Sequence, residues 1–267
     1  MFQPIVPLTG FVGWKFLERT MESQKTAFTE STQFKRDTDY FREKIASITT
    51  AEELVKDRRL LGVALGAFGL DDDIGNKAFI RKILEDGTNR NDALANRLSD
   101  SRYKKFAAAF GFGNFAPRTP LTGFADEILT RYETKQFQRA VGEQNNDLRL
   151  AMNLGSELAD LSREETSNDI KWFSVMGNTP LRRVFETALG FPSSFGRIDV
   201  DQQRTAFKER AEAVFGTDRI ADFTDPDLQD KLIRLYLIRA EANAGATGYS
   251  GASAALTLLA SAPRLYG

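Results

Sequence analysis

Apolar positions along this chain recur at intervals of three and four residues, and strict apolar–polar alternation is scarce, so the pattern predicts an all-α protein. Trp14, Leu17, Met21 and Phe28 fall at helical spacing, as do Phe34, Phe41 and Ile45, predicting two amphipathic helices near the N-terminus. Thr50 to Glu53 reads as a T-x-x-E capping box opening a short helix. Asp57 ends that helix and caps the next, for which Gly69 supplies a left-handed stop. Asp71, Asp72 and Asp73 come just before a helix with the apolar face Phe79, Ile80, Ile83 and Leu84 and the terminator Gly87; their charges are expected to favour its positive end. The same grammar returns with Ser99 or Asp100 as cap, Tyr103, Phe106 and Phe110 inside, and Gly111 as stop.

One stretch breaks the helical rhythm. "GFGNFAPRTPLTG", residues 111–123, is rich in Gly and Pro and is read as the seam between an N-terminal lobe, 1–110, and a C-terminal lobe, 124–244. Beyond it, Phe124, Ile128 and Tyr132 open a long helix, Leu148, Met152 and Leu161 mark a second, and Asn168 to Met176 form a third. Val200, Phe207, Ala211 and Val214 predict a further buried face closed by Gly216. Thr224 or Asp225 caps the last long helix, with Pro226 in its first turn and Leu228, Leu232 and Leu235 as its buried stripe. The expected whole is about nine to eleven helices in two packed lobes, followed by a Gly/Ala-rich tail, 245–267.

Two phrases resemble each other. "DRRLLGVALGAFGL" begins at Asp57 and "NTPLRRVFETALGF" at Asn178; equating their terminal glycines, Gly69 and Gly190, sets an offset of 121 residues. Leu60 then meets Leu181, Val63 meets Val184, Ala67 meets Ala188, and Asp57 and Asn178 both open helices. An aromatic pair precedes each copy, Tyr40 with Phe41 and Trp172 with Phe173. A degenerate internal repeat would produce this match, and so would two independently well-capped core helices. Gly62, Gly66 and Gly69 also share one helix face, which permits close approach by a neighbour.

The ordered blocks "DYFREKI", "DRRLLGVALGAFGLDDD", "KAFIRKILEDG", "NRLSDSRYKKFAAAFGF", "FQRAVGEQNNDLRLAMN", "LRRVFETALGFP" and "DVDQQRTAFKERA" resemble domain-of-unknown-function family 1217 across residues 15–243. Members of that family occur in alphaproteobacteria, often beside flagellar genes, and have no assigned activity. The resemblance therefore implies a flagellum-related role by association and carries over no catalytic residue. The two ends of the chain depart from the family's pattern.

Composition narrows the chemistry. The chain has 267 residues, 42% of them hydrophobic, enough to bury a sizeable core without staples. Lys plus Arg is 36 against 37 for Asp plus Glu, a net charge of -1 that gives no global field for nucleic acid. There is no His and no Cys, which removes the common nucleophile–base arrangements and Cys/His zinc sites. No phosphate-binding glycine loop is present. Asp71–Asp73 lack the alternate carboxylate spacing and distal Glu of a calcium loop, and the pairs Glu164 with Glu165 and Asp225 with Asp227 are expected to be solvated. No catalytic residue, metal or cofactor is expected. No apolar run approaches the roughly 18 residues needed to span a bilayer. With Pro4 and Pro7 interrupting an N-terminus that lacks a basic start, a cleavable signal is not expected and the chain is read as cytoplasmic, associated with or exported through the flagellar apparatus.

These observations lead to the expectation of a non-catalytic accessory or adaptor protein in flagellar assembly or motility, with a protein partner; no pattern fixes a homo-oligomeric state. The alternatives are a carboxylate- and divalent-metal-dependent enzyme and an exported structural part of the flagellum. In the tail, Gly245, Gly248 and Gly251 are expected to halt the preceding helix near Asn243, while Leu256, Leu258 and Leu259 can contact either the same molecule or a partner.

Overall fold

The computed structural model describes residues 2–98, 100–114 and 116–248, with side chains described to residue 245. Among them the fold is all-α, with thirteen α-helices, eleven of them longer than one or two turns, and four 3₁₀ turns. The chain divides into two compact units: Met1–Val6 with Leu17–Gln144, and Pro7–Phe16 with Asn145–Gly267.

The first unit is built around a short helix. α1 (Gly10–Thr29) and α2 (Thr32–Lys44) are followed by α3 (Ala51–Lys56) and α4 (Arg58–Gly66). The capping box at Thr50 forms as the sequence predicts: its hydroxyl accepts from Glu53 N at 3.2 Å, and the Glu53 carboxylate accepts from Thr50 N at 3.1 Å. Asp57 ends α3 and caps α4, accepting from Arg59 N at 2.9 Å and Leu60 N at 3.0 Å. α4 is buried through Leu60, Leu61, Val63, Ala64 and Leu65, because it packs against α2, α3, the 3₁₀ turn Asp71–Gly75 and α8 (Phe124–Gln144). α5 (Lys77–Asp86), α6 (Leu94–Arg97) and α7 (Ser101–Phe110) complete the unit. Phe68, Phe106, Phe110 and Phe124 form a chain of ring contacts through this core.

The second unit repeats that plan. α9 (Asn146–Arg163), α10 (Asn168–Gly177), α12 (Val200–Phe215) and α13 (Pro226–Gly248) all pack on α11 (Thr179–Leu189). Leu181, Val184, Phe185, Ala188 and Leu189 of α11 are buried. Trp172 is sealed among Phe185 and Phe207, and its indole N–H donates to the Asp218 carbonyl at 2.7 Å. The two resembling phrases are thus the central helices of the two units.

Their ends match in detail at the offset of 121. Asn178 caps α11 by accepting from Leu181 N at 3.1 Å, the counterpart of Asp57 with Leu60 N. Gly69 and Gly190 both take positive φ, 68° and 75°. Beyond them Leu70 N donates to Leu65 O at 3.0 Å and Phe191 N to Glu186 O at 2.9 Å, the same six-residue closure. Upstream the match fails: α3 intervenes between α2 and α4, whereas α10 runs directly into α11.

Four expectations differ from the structure. The 111–123 stretch is not where the units divide: Asn114 accepts from Thr88 N at 2.9 Å, the Thr119 hydroxyl donates to the Ile48 carbonyl, and α8 packs on α2 and α4. These contacts tie 111–123 and α8 into the first unit, and the division falls at Gln144–Asn145. Asp71–Asp73 do not cap α5; Asn76 stands at that position, and the aspartates form a 3₁₀ turn tied sideways to other helices. On α12 Val200 is exposed and Gln203 is buried, because Gln203 bonds the Ile198 carbonyl at 2.6 Å and Arg182 at 2.5 Å. On α13 the buried face is Leu232, Ile233, Tyr236 and Leu237, with Leu228 and Leu235 only half-buried, and the helix continues through Gly245 to Gly248.

The close approach foreseen for the α4 glycines occurs at one of them. A Cβ on Gly66 would lie 2.7 Å from the Tyr132 ring and from the Gln136 amide of α8, whereas one on Gly62 would meet only Ile74 at 4.0 Å. Gly66→Val should therefore cost about 1–3 kcal/mol through overpacking. Gly62→Ala should be neutral or stabilising by about 0.5–1 kcal/mol through helix propensity. Urea unfolding of the two variants checks the contrast, and equal stabilities would contradict it.

Candidate functional site

Carboxylates are the only acid–base groups besides tyrosine and lysine that this sequence offers, so their placement decides what chemistry the structure supports. Asp71 accepts from the Gln136 amide at 2.7 Å and from Arg139 at 2.9 Å, both on α8. Asp73 accepts from the Tyr103 hydroxyl at 2.7 Å and from Asn76 at 2.8 Å. The two carboxylates are drawn to different helices, α8 and α7, and Asp72 between them is exposed. Among the described residues no group of three or more Asp and Glu side chains is arranged to hold a metal ion. Glu164 and Glu165 are exposed in the α9–α10 connection.

An open depression of about 630 Å³ lies where α12 turns into α13, lined by Phe215, Thr217, Asp222, Thr224, Asp225 and Leu228 among others. The helix-stop pattern around Gly216 and the capped start at Asp225 were legible in the sequence; that the intervening turn leaves a hollow was not. Its acidic groups are committed. Asp222 accepts from the Thr217 hydroxyl at 2.6 Å, and Asp225 caps α13 through Asp227 N at 3.0 Å and Leu228 N at 3.2 Å. Lys231 already holds the negative end of α12 beside this hollow, donating to the Val214 carbonyl at 2.7 Å with its ammonium 5.4 Å from the Phe215 ring centre. The arrangement fixes the α12–α13 turn.

Basic side chains are committed in the same way. Arg102 donates to the Gly69 carbonyl at the end of α4 and is itself held by Asp100 at 2.7 Å. Arg239 donates to the Ala188 carbonyl and Arg210 to the Leu189 carbonyl at 3.2 Å, both at the end of α11. The buried Lys171 bonds the Ser162 carbonyl of α9 at 2.9 Å, and Arg118 the Ala109 carbonyl of α7 at 3.3 Å. Each meets carbonyls that the helix itself leaves unpaired, where a cation also opposes the helix dipole. Arg239→Met should therefore cost about 1–3 kcal/mol by orphaning a buried acceptor, whereas Arg163→Met, on an exposed side chain, should stay within about 0.5 kcal/mol. Thermal or urea unfolding distinguishes the two.

Four tyrosines have pKa values raised from the ordinary 10.0, Tyr40 through its hydrogen bond to Asp57 and three others mainly through burial. Tyr236 is fully buried and donates to Asp147 at 2.6 Å; burial first, then that bond, raises its pKa. Burial, then the bond to Asp73, pushes Tyr103 up to about 12. Burial, then the charges of Asp37 and Asp71, pushes Tyr132 up to about 12. Because the folded values of Tyr103 and Tyr132 lie above the ordinary 10.0, their contribution to stability is complete below pH 10 and lost as pH rises towards about 12. Urea midpoints measured from pH 9 to 12 should fall more steeply for the wild type than for the Tyr103→Phe, Tyr132→Phe double variant; parallel curves would contradict this.

Leu256, Leu258 and Leu259, the expected partner contacts, lie outside the described residues. Among the described residues no helix is long and apolar enough to cross a membrane. In fold, the chain is similar to protein AGR_C_984 from Agrobacterium tumefaciens, known from a crystal structure. The TM-score is 0.71 at 24% sequence identity, covering 90% of this chain and 98% of that one. No curated protein matches the sequence. The sequence family described as "Protein of unknown function (DUF1217)" matches residues 67–228, from the end of the first central helix to the start of α13, and the chain belongs to that family.

Proposed function

We propose that this protein is a non-catalytic accessory or adaptor that binds a flagellar component during flagellar assembly or motility. Membership of the DUF1217 family carries the reading, because the resemblance drawn from the sequence implies a family whose members are often encoded beside flagellar genes. The use of side chains supports it. Asp71, Asp73, Asp222 and Asp225 are spent on hydroxyl, amide and backbone partners, and Arg102, Arg210, Arg239, Lys171 and Lys231 on helix ends. Groups so engaged serve the scaffold, which leaves surface recognition as the activity the arrangement favours.

Deleting the gene in a flagellated host should reduce swimming or filament number while leaving growth unchanged, with restoration by the wild-type gene. Tagged protein from the same host should retain a named flagellar component through washing. Normal swimming with normal filaments in the deletion strain would overturn the proposal.

A further inference from the structure

Residues Phe2 to Val6 form neither helix nor turn, yet side-chain amides of the first unit hold them by their backbone. Gln24 of α1 is only 6% exposed, and its amide meets both main-chain groups of Ile5: the oxygen accepts from Ile5 N at 2.6 Å, and the nitrogen donates to the Ile5 carbonyl at 3.1 Å. The same nitrogen also donates to the Thr20 hydroxyl at 2.8 Å. Gln144, at the end of α8, donates to the Pro4 carbonyl. One planar amide reaches the N–H and C=O of a single residue only when both point the same way, as they do in an extended strand. The side chains agree. Pro4 is buried and Phe2 and Val6 half-buried, while Gln3 and Ile5 are exposed, which is the period of two of a strand with one covered face. Among the described residues, 2–6 make no backbone–backbone hydrogen bond.

We propose that Gln24 and Gln144 form a docking site for an extended peptide of the pattern apolar–x–Pro–x–apolar, which residues 2–6 fill in cis and from which a partner's segment of the same pattern displaces them. The inference goes beyond the flagellar reading and does not rest on it. In such a site main-chain hydrogen bonds supply affinity, and pockets for alternate side chains supply selectivity. Here every bond to Pro4 and Ile5 is made to backbone, so the exposed positions 3 and 5 are free to vary. The buried centre favours proline, whose missing N–H leaves no donor to satisfy there. An occupant is required, because without one the buried Gln24 amide keeps only Thr20 as a partner. Any peptide in this conformation satisfies the amides equally well, so the chain's own segment holds its place through tethering, at an effective concentration in the millimolar range. That occupancy lowers the apparent affinity for a competitor, which makes residues 2–6 a gate on the site.

Full-length Pro4→Asp protein, in which a carboxylate replaces the buried ring, should release the segment while leaving Gln24 and Gln144 in place. A fluorescently labelled peptide of residues 2–6, titrated by anisotropy, should bind this variant at least about tenfold more tightly than the wild type. Ile5→Pro, which removes the N–H that Gln24 accepts, releases the segment without adding a charge; it should give the same order and replaces Pro4→Asp if that variant loses helical content. Adding Gln24→Leu to either variant should weaken binding at least about tenfold, as should aspartate in place of proline in the peptide. Equal affinity for the wild type and the released variants, or an affinity indifferent to Gln24→Leu, would place the peptide elsewhere. Absence of saturable binding to the released variants would make residues 2–6 a fixed part of the scaffold. Each of these results overturns the proposal.

Discussion

A helix buried on every side cannot leave its ends to water, and this constraint shapes both units. α4 and α11 each sit among four neighbouring elements. Such a helix has orphan N–H groups at one end and orphan carbonyls at the other, each costing about 1–3 kcal/mol if buried unpaired. At the amino ends the debt is met locally, by Asp57 and Asn178. At the carboxyl ends a left-handed glycine turns the chain back onto the last carbonyls, and an arginine from a later element, Arg102 or Arg239, takes what remains. The later helices are thereby bonded to the central one, as well as packed on it.

The same device recurs at α7, α9 and α12, whose last carbonyls receive Arg118, Lys171 and Lys231. A net charge of -1 therefore conceals an uneven use of charge. Many cations are directed at backbone carbonyls. Tyrosine hydroxyls then take over carboxylates: Tyr103 bonds Asp73, Tyr40 bonds Asp57 at 2.7 Å, and Tyr236 bonds Asp147 at 2.6 Å. Asp57 thus caps α4 with one oxygen while receiving Tyr40 on the other, which links α2 to the start of the central helix.

What the sequence made legible follows the range of the interaction involved. Capping boxes, glycine stops and the helices between them depend on residues three to five apart, and Thr50, Asp57, Gly87, Gly111, Gly190 and Gly216 all stand where local grammar puts them. Which face is buried depends on neighbours. Gln203 displaced Val200 from the core because Arg182 and the Ile198 carbonyl, supplied by other segments, satisfy its amide. The unit boundary was misplaced for a similar reason: Gly and Pro in 111–123 report an irregular backbone, and irregular backbone can be packed as firmly as a helix. Gly113 lies so close to Glu85 and Gly87 that no side chain would fit between them. The aspartates at 71–73 were read as local caps when their partners, Gln136, Arg139 and Tyr103, lie 30 to 68 residues away. The leucines singled out in the tail lie beyond the described residues, and the hollow at the α12–α13 turn had no signal other than the helix stop and start around it.

The two central helices show how far a common demand alone can shape sequence. Their register of 121 holds from the cap, Asp57 and Asn178, to the residue after the glycine, Leu70 and Phe191, and the hydrogen bonds follow it at both ends. Outside that span it dissolves. The upstream aromatic pairs stand 132 residues apart because α3 is inserted in one unit only. Downstream, the arginine that closes the helix comes 33 residues after the carbonyl it binds in one unit and 51 in the other. The matched stretch is coextensive with what burial of a short helix dictates: a cap, an apolar face on several sides, and a left-handed stop. The clamp that completes the end is equally required, but its chemistry needs only a guanidinium within reach, so its position in the chain is left free, and there the two units diverge.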